Sequence, residues 1–181
     1  LFKNHSIFWE KVIKQNHEIQ WHAHIYEFFN DQWIFTRNDE YFFTEIEKIY
    51  NYLKKNVFSP QCIRIGEAYM NNNIMNFIKN LGILADSSAL PGRMRRDQEK
   101  VFDWSETNNF PYYPSENNYQ KKSQDSGEFL EIPMNTIKMQ TSYDKEPILR
   151  YVNLSFIPSL MNEGLNNFIQ SKEILVSITH P

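Results

Sequence analysis

Cysteine is almost absent from this chain: Cys62 is the single thiol in 181 residues. One cysteine excludes an internal disulfide framework and any zinc cluster built from cysteines. A single free thiol also suits a reducing compartment. Long apolar runs are missing too, and none approaches the roughly 18–20 residues that a membrane-spanning helix needs. There is no basic block. Nineteen Lys and Arg stand against 22 Asp and Glu, for a formal charge of −3. A chain that neutralises nucleic-acid phosphates carries a basic stripe, so nucleic acid is not an expected partner. Internal repeats and low-complexity tracts are likewise absent. What the chain has in quantity is aromatic residues, with 14 Phe, 10 Tyr and 4 Trp, far too many for a solvating tail. Its length allows one domain with a real core.

The apolar pattern alternates between helix and strand. Ile7, Phe8, Val12 and Ile13 recur at helical spacing over about 5–16, and Phe42, Ile46, Ile49, Tyr50 and Leu53 do so over about 42–55. A third helix is expected over 72–81, stopped by Gly82, and a fourth over 158–172 with Pro158 at its start. Strands are expected at 17–22, 61–66, 83–86, 129–133, 150–156 and 174–179. Between them, 87–128 reads as a long irregular loop over the rim, ordered by its aromatic residues. Alternating strands and helices predict an α/β fold of parallel βα units, as an open sheet or a barrel. A full (β/α) barrel takes about 250 residues, so a barrel here implies missing elements. Leu1 is no initiator methionine, and the chain is expected to be a piece of a longer one.

In parallel α/β folds reactive residues gather at the C-terminal strand ends. The expected strands deliver His22 and His24, then Arg64 with Gly66-Glu67, then Asp86 with Ser87 and Ser88, then Glu131, and last His180. His22 and His24 are two residues apart in an extended segment, so both imidazoles project to one face and can share a cation. Surface or aromatic-packed histidines are the alternative. Arg64 lies between Ile63 and Ile65 and points away from the apolar face, where it needs a partner; Asp86 and Glu131 are the available carboxylates. His180 is either a general acid or base or a structural histidine. Asp86-Ser87-Ser88 is either a site motif or a turn. Arg93, Arg95 and Arg96 form either a solvated loop face or a seat for an anionic substrate.

HEIQWHAH, RIGEAYMN, LGILADSSALPG, FDW with PYYPS, FLEIP and ITHP, in that order, resemble the polysaccharide deacetylase (NodB-homology) family, in its His-x-His branch. The likeness covers roughly residues 10–181. It implies a single domain over 1–181, a partial, distorted (β/α)7 TIM-like barrel whose first strand lies upstream of Leu1 and ends in two aspartates. It also implies metal-dependent removal of acetyl from an N-acetylated sugar or glycan, with one divalent cation per chain, zinc by preference. Carried over residue by residue, His22 and His24 are the metal ligands, Arg64 positions the catalytic carboxylate, Asp86 lies in the substrate groove, and His180 is the general acid. Trp104, Tyr112 and Tyr113 would wall the groove. Commoner members space the histidines as H-x-x-x-H, which here puts Tyr26 at the second position. Two other readings remain in view: another metal-dependent amidohydrolase-type barrel, and a barrel that binds glycan without catalysis.

Overall fold

The computed structural model describes residues 6–97, 100–124, 127–153, 155–171, 174 and 176–178. Its centre is a four-stranded parallel sheet in the order β1 (Trp21–Ala23), β4 (Cys62–Ile65), β5 (Ala85–Asp86), β10 (Leu130–Glu131). Register sets His22 beside Arg64, and Asp86 beside Glu131. Two helices cover the apolar face: α2 (Asp39–Asn56), which buries Phe42, Ile46, Tyr50 and Leu53, and α3 (Asn72–Asn80), which buries Ile74, Met75 and Ile78. These pack with Ile63 and Ile65 of β4 in the main core, and Phe43 stacks on Phe77 with centroids 4.4 Å apart. The fold is therefore mixed α/β around a parallel sheet, and among the described residues that sheet does not close into a barrel.

Both helix starts are fixed by asparagine. The Asn38 side chain accepts from the amides of Glu40 and Tyr41, and Asn71 accepts from Ile74. Asn71 also donates to Asp39 at 3.0 Å, which ties the two helix starts together. Replacing Asn38 by alanine leaves these first-turn amides without their acceptor. A loss of about 1 kcal/mol is expected, read as a lower denaturation midpoint at unchanged slope. Gly82, at φ 84°, closes α3 in the left-handed region that glycine alone enters freely.

Several elements depart from the sequence reading. The segment 87–128 is not irregular. It carries two antiparallel hairpins, β6 (Met94–Arg96) with β7 (Val101–Asp103), and β8 (Pro114–Ser115) with β9 (Asn118–Lys122). A further hairpin, β2 (Tyr26–Phe29) with β3 (Gln32–Phe35), turns at Asn30 and Asp31, both at positive φ. The strand expected at 150–156 is instead β12 (Ile148–Tyr151), antiparallel to β11 (Thr136–Met139). The short link between them, tied by Thr141, Asp144 and Arg150, has no room for the crossover that parallel pairing requires. The fourth helix, α4 (Pro158–Ser171), begins at its proline as expected, and α1 (Ser6–Lys14) occupies the first helical stretch. Of the expected strand 174–179, the described residues are not in a regular strand. They bond to its neighbours through Asn135 to Val176 and Ile178 to Val152.

Cys62 is half-buried at the start of β4. Burial, with the nearby Asp86 charge, pushes its thiol up to about 11. No described helix is long and apolar enough to cross a membrane.

Candidate functional site

The strand β1 alternates buried and exposed residues, so Trp21, Ala23 and Ile25 enter the core while His22 and His24 face outward on one side. Their ring centroids are 4.6 Å apart. Both border a cavity of about 350 Å³, together with Arg64 from β4 and Glu67 from the turn that follows. That turn is the tightest piece of backbone in the site. Gly66–Ala68 form a 3₁₀ turn in which Glu67 and Ala68 hold φ of 59° and 54°. Two consecutive non-glycine residues in this region mark stored strain, and such strain needs an anchor. Trp104 supplies one: fully buried, it donates its indole N–H to the Ala68 carbonyl at 2.8 Å. Gly66 lies under His24, and a Cβ at this position would meet the imidazole Cγ at 2.6 Å.

Glu67 is the electrostatic hub. Lys100 Nζ lies 2.5 Å from it, His24 Nδ1 lies 3.9 Å away, and the Tyr26 hydroxyl donates to it at 3.2 Å. Burial pushes the Glu67 carboxyl up, but these partners outweigh burial and hold it below the ordinary carboxylate range. The Tyr26 ring stacks against His24, with centroids 6.0 Å apart and planes 14° off parallel. Tyr26 thus packs beside the second histidine and does not replace it.

The other predicted residues are placed as follows. Arg64 is not paired with Asp86 or Glu131; its Nε and Nη2 donate to the Ser87 carbonyl and hydroxyl at 2.9 and 3.0 Å. A backbone carbonyl on the next strand intercepts the guanidinium before it reaches a carboxylate. Asp86 is fully buried and does not reach the cavity, because its oxygens accept from the Ser88 amide and hydroxyl in a turn. Trp104 and Tyr112 are core residues and not groove walls. Tyr112 bridges to Glu131 through paired backbone bonds and donates its hydroxyl to Tyr119 at 2.7 Å. Tyr113 packs beside Gly127 and does not border the cavity. His180 lies outside the described residues.

Two features went unread in the sequence. The first is the carboxyl pair Asp86–Glu131, both fully buried and hydrogen-bonded to one another. Burial raises both acids, and the Asp86 charge raises Glu131 further, so Glu131 keeps its proton well above the ordinary range and donates it to Asp86. The Ala89 amide satisfies a Glu131 oxygen at 3.0 Å. The second is the β6–β7 hairpin as a cavity wall: it adds Lys100 and Phe102 to Arg93 and Arg95, two of the three arginines already named as a possible anion seat. Beside this cavity a second, of about 630 Å³, shares Glu67 and Lys100 and runs along the β2–β3 hairpin past Tyr26, Gln32, Trp33 and Phe35. Trp33 and Phe28 are largely exposed there, with ring centroids 5.4 Å apart.

The site has two imidazoles on one side and cationic groups on the other. Two imidazoles on one face suit a borderline cation such as zinc. Among the described residues no group of three or more His, Cys, Asp or Glu side chains gathers around a common point. No family model, curated protein or solved structure matches this chain.

Proposed function

We propose that this chain carries out metal-dependent hydrolysis of the acetyl group of an N-acetylated sugar within a glycan, on a partial barrel of the polysaccharide deacetylase type. The observation that carries the reading is the pair His22 and His24, side by side at the C-terminal end of β1 over a cavity that Arg64 also borders. Those imidazoles would hold the cation. When bound, a divalent cation supplies Lewis acidity toward an acyl carbonyl and activates water near neutral pH. The chain's own residues do the rest. Glu67, fixed by Lys100 and Tyr26, sets a carboxylate 3.9 Å from His24 Nδ1, a nearby charge that would strengthen the ring as a ligand. Arg64, held by Ser87, presents a fixed cation beside His22. His180, as imidazolium, would protonate the departing amine nitrogen.

The second cavity supports a glycan over a free amide. The exposed aromatic face of Trp33 lines it together with the hydrogen-bonding groups of Gln32, Glu27 and Arg37. Flat apolar faces beside polar edges match the two kinds of surface that a pyranose presents.

The test is acetate release from N-acetylglucosamine oligomers by the full-length protein, with zinc added and then removed by chelation. Release that stops on chelation and returns with the cation is expected. Oligomers that bind without releasing acetate under any divalent cation would favour the glycan-binding reading without catalysis, which the two-histidine donor set among the described residues keeps in play.

A further inference from the structure

We propose that the cavity beside His22 and His24 takes a sugar bearing an oxyanion, a carboxylate or a phosphate, and that Arg93 is the residue that seats it. The sugar itself rests on the function proposed above; the anion seat rests on the charges of the cavity wall. Four cationic side chains, Arg64, Arg93, Arg95 and Lys100, face one carboxylate, Glu67.

Three of the four have partners. Arg64 donates to Ser87, Arg95 pairs with Asp97, and Lys100 pairs with Glu67. Arg93 is left over. Its guanidinium carbon stands 5.9 Å from the centroid of the Phe102 ring, and among the described residues no carboxylate pairs with it. The backbone around it is fixed, with its amide donating to Leu90 and its carbonyl accepting from Trp104. Arg93 immediately precedes β6 and Arg95 is its middle residue; the two are two positions apart, and both come to the cavity. Arg96, one step on, turns away to Asp103. Half-burial opposes the Arg93 charge most; Tyr151, also on the cavity wall, favours it, and the nearby Arg150 and Arg95 add repulsion, the net effect being unfavourable. Guanidinium does not escape such a setting by losing its proton at neutral pH, so the unfavourable charge persists until an anion arrives. Its planar fork matches the paired oxygens of a carboxylate or phosphate. A cavity of about 350 Å³ lies at the small end of the range for compact ligands, which fits one substituted sugar ring.

The test is calorimetric titration of the full-length protein at about 0.1 M salt, where exposed charges more than roughly 10 Å apart are screened. The probes are glucuronate, glucose 6-phosphate, N-acetylglucosamine and inorganic phosphate. One of the two anionic sugars is expected to bind at least roughly tenfold more tightly than N-acetylglucosamine, a difference worth about 1.4 kcal/mol. Preference for glucuronate assigns a carboxylate, and preference for glucose 6-phosphate assigns a phosphate. Arg93→Gln is expected to abolish the preference and Arg93→Lys to retain part of it. Arg96→Gln, outside the cavity, is expected to leave it intact. Equal binding of charged and neutral sugars overturns the proposal, as does a preference that survives Arg93→Gln. Inorganic phosphate binding as tightly as the sugar phosphate also overturns it, because the ring then contributes nothing. Acetate release reports separately on the earlier reading. Anionic sugar bound through Arg93 without hydrolysis sinks only the deacetylase, and hydrolysis indifferent to charge sinks only the anion seat.

Discussion

Alanine at position 66 is expected to cost roughly 10- to 100-fold in zinc affinity and at least as much in acetate release, while leaving the fold standing. The reason is local. A Cβ there would overlap the His24 imidazole, and the side of His24 away from Gly66 is open, with its side chain 42% exposed. The ring therefore swings outward instead of forcing the backbone apart. Gly66 is not held at positive φ, so the substitution brings no conformational strain of its own. Stability should shift by no more than about 1 kcal/mol, as for changes that avoid cavities and buried charges. What is lost is direction: His24 leaves its stack on Tyr26 and its approach to Glu67. Misdirected ligands cost about 10–100-fold in affinity in metal sites generally. The measurement is zinc titration of both forms beside their denaturation midpoints. Unchanged zinc affinity in the alanine form would remove His24 from the metal reading.

Glu131 is expected to show the largest effect on stability, and in a direction that depends on what replaces it. Alanine leaves Asp86 buried without its donor and the Ala89 amide without its acceptor, and a loss of about 3–5 kcal/mol is expected. Glutamine keeps the acceptor and offers an N–H to Asp86, so it replaces the protonated acid almost atom for atom. The pH dependence separates the two cases. Both carboxyls are raised in the folded state, so the fold holds protons that the unfolded chain releases. Their contribution is therefore fully present below the ordinary carboxyl range. It is lost as pH climbs from about 4.5 toward the folded value. As pH rises above about 4.5, the native protein should lose stability relative to Glu131→Gln until the folded carboxyl ionises, with a difference in slope of up to about 1.4 kcal/mol per pH unit. Titrating groups away from the pair cancel in that difference, while Asp86, coupled to Glu131, contributes to it. Parallel curves for the two proteins would mean that Glu131 ionises normally.

The sequence reading reached the frame of the site and stopped short of its walls. The α2 and α3 helices and the strand ends at His22, Arg64 and Asp86 were legible because period and burial agree over whole elements: Phe42, Ile46 and Leu53 all point inward as their spacing requires. Lys100 was not legible as a wall residue, and Arg93 was legible only as one side of a choice between a solvated loop face and an anion seat. The hairpin that carries them has three-residue strands, too short for a periodic signal, and its approach to His22 is set by long-range packing of Phe102 and Trp104. The pairing of Arg64 was missed for a different reason. Its acceptors are the hydroxyl and the main-chain carbonyl of Ser87, and a carbonyl has no signature in residue type. The β2–β3 hairpin did leave a sign, adjacent Asn30 and Asp31, the turn residues that tolerate positive φ. Its flanking aromatics Phe28 and Trp33 are exposed, so no apolar-in, polar-out alternation marks the two strands. The carboxyl pair required knowing that β5 and β10 are neighbours, although 43 residues lie between Asp86 and Leu130.

Cys62 gives the molecule a built-in reporter. It is the only sulfhydryl in the chain, it sits on the second strand of the central sheet, and its proton is held to about pH 11. Alkylating reagents attack the thiolate, so the native protein should label slowly and each opening of the sheet should be trapped as a covalent adduct. Mass spectrometry of the adduct over time would then track the breathing of β4, directly beneath the histidines, without any engineered probe.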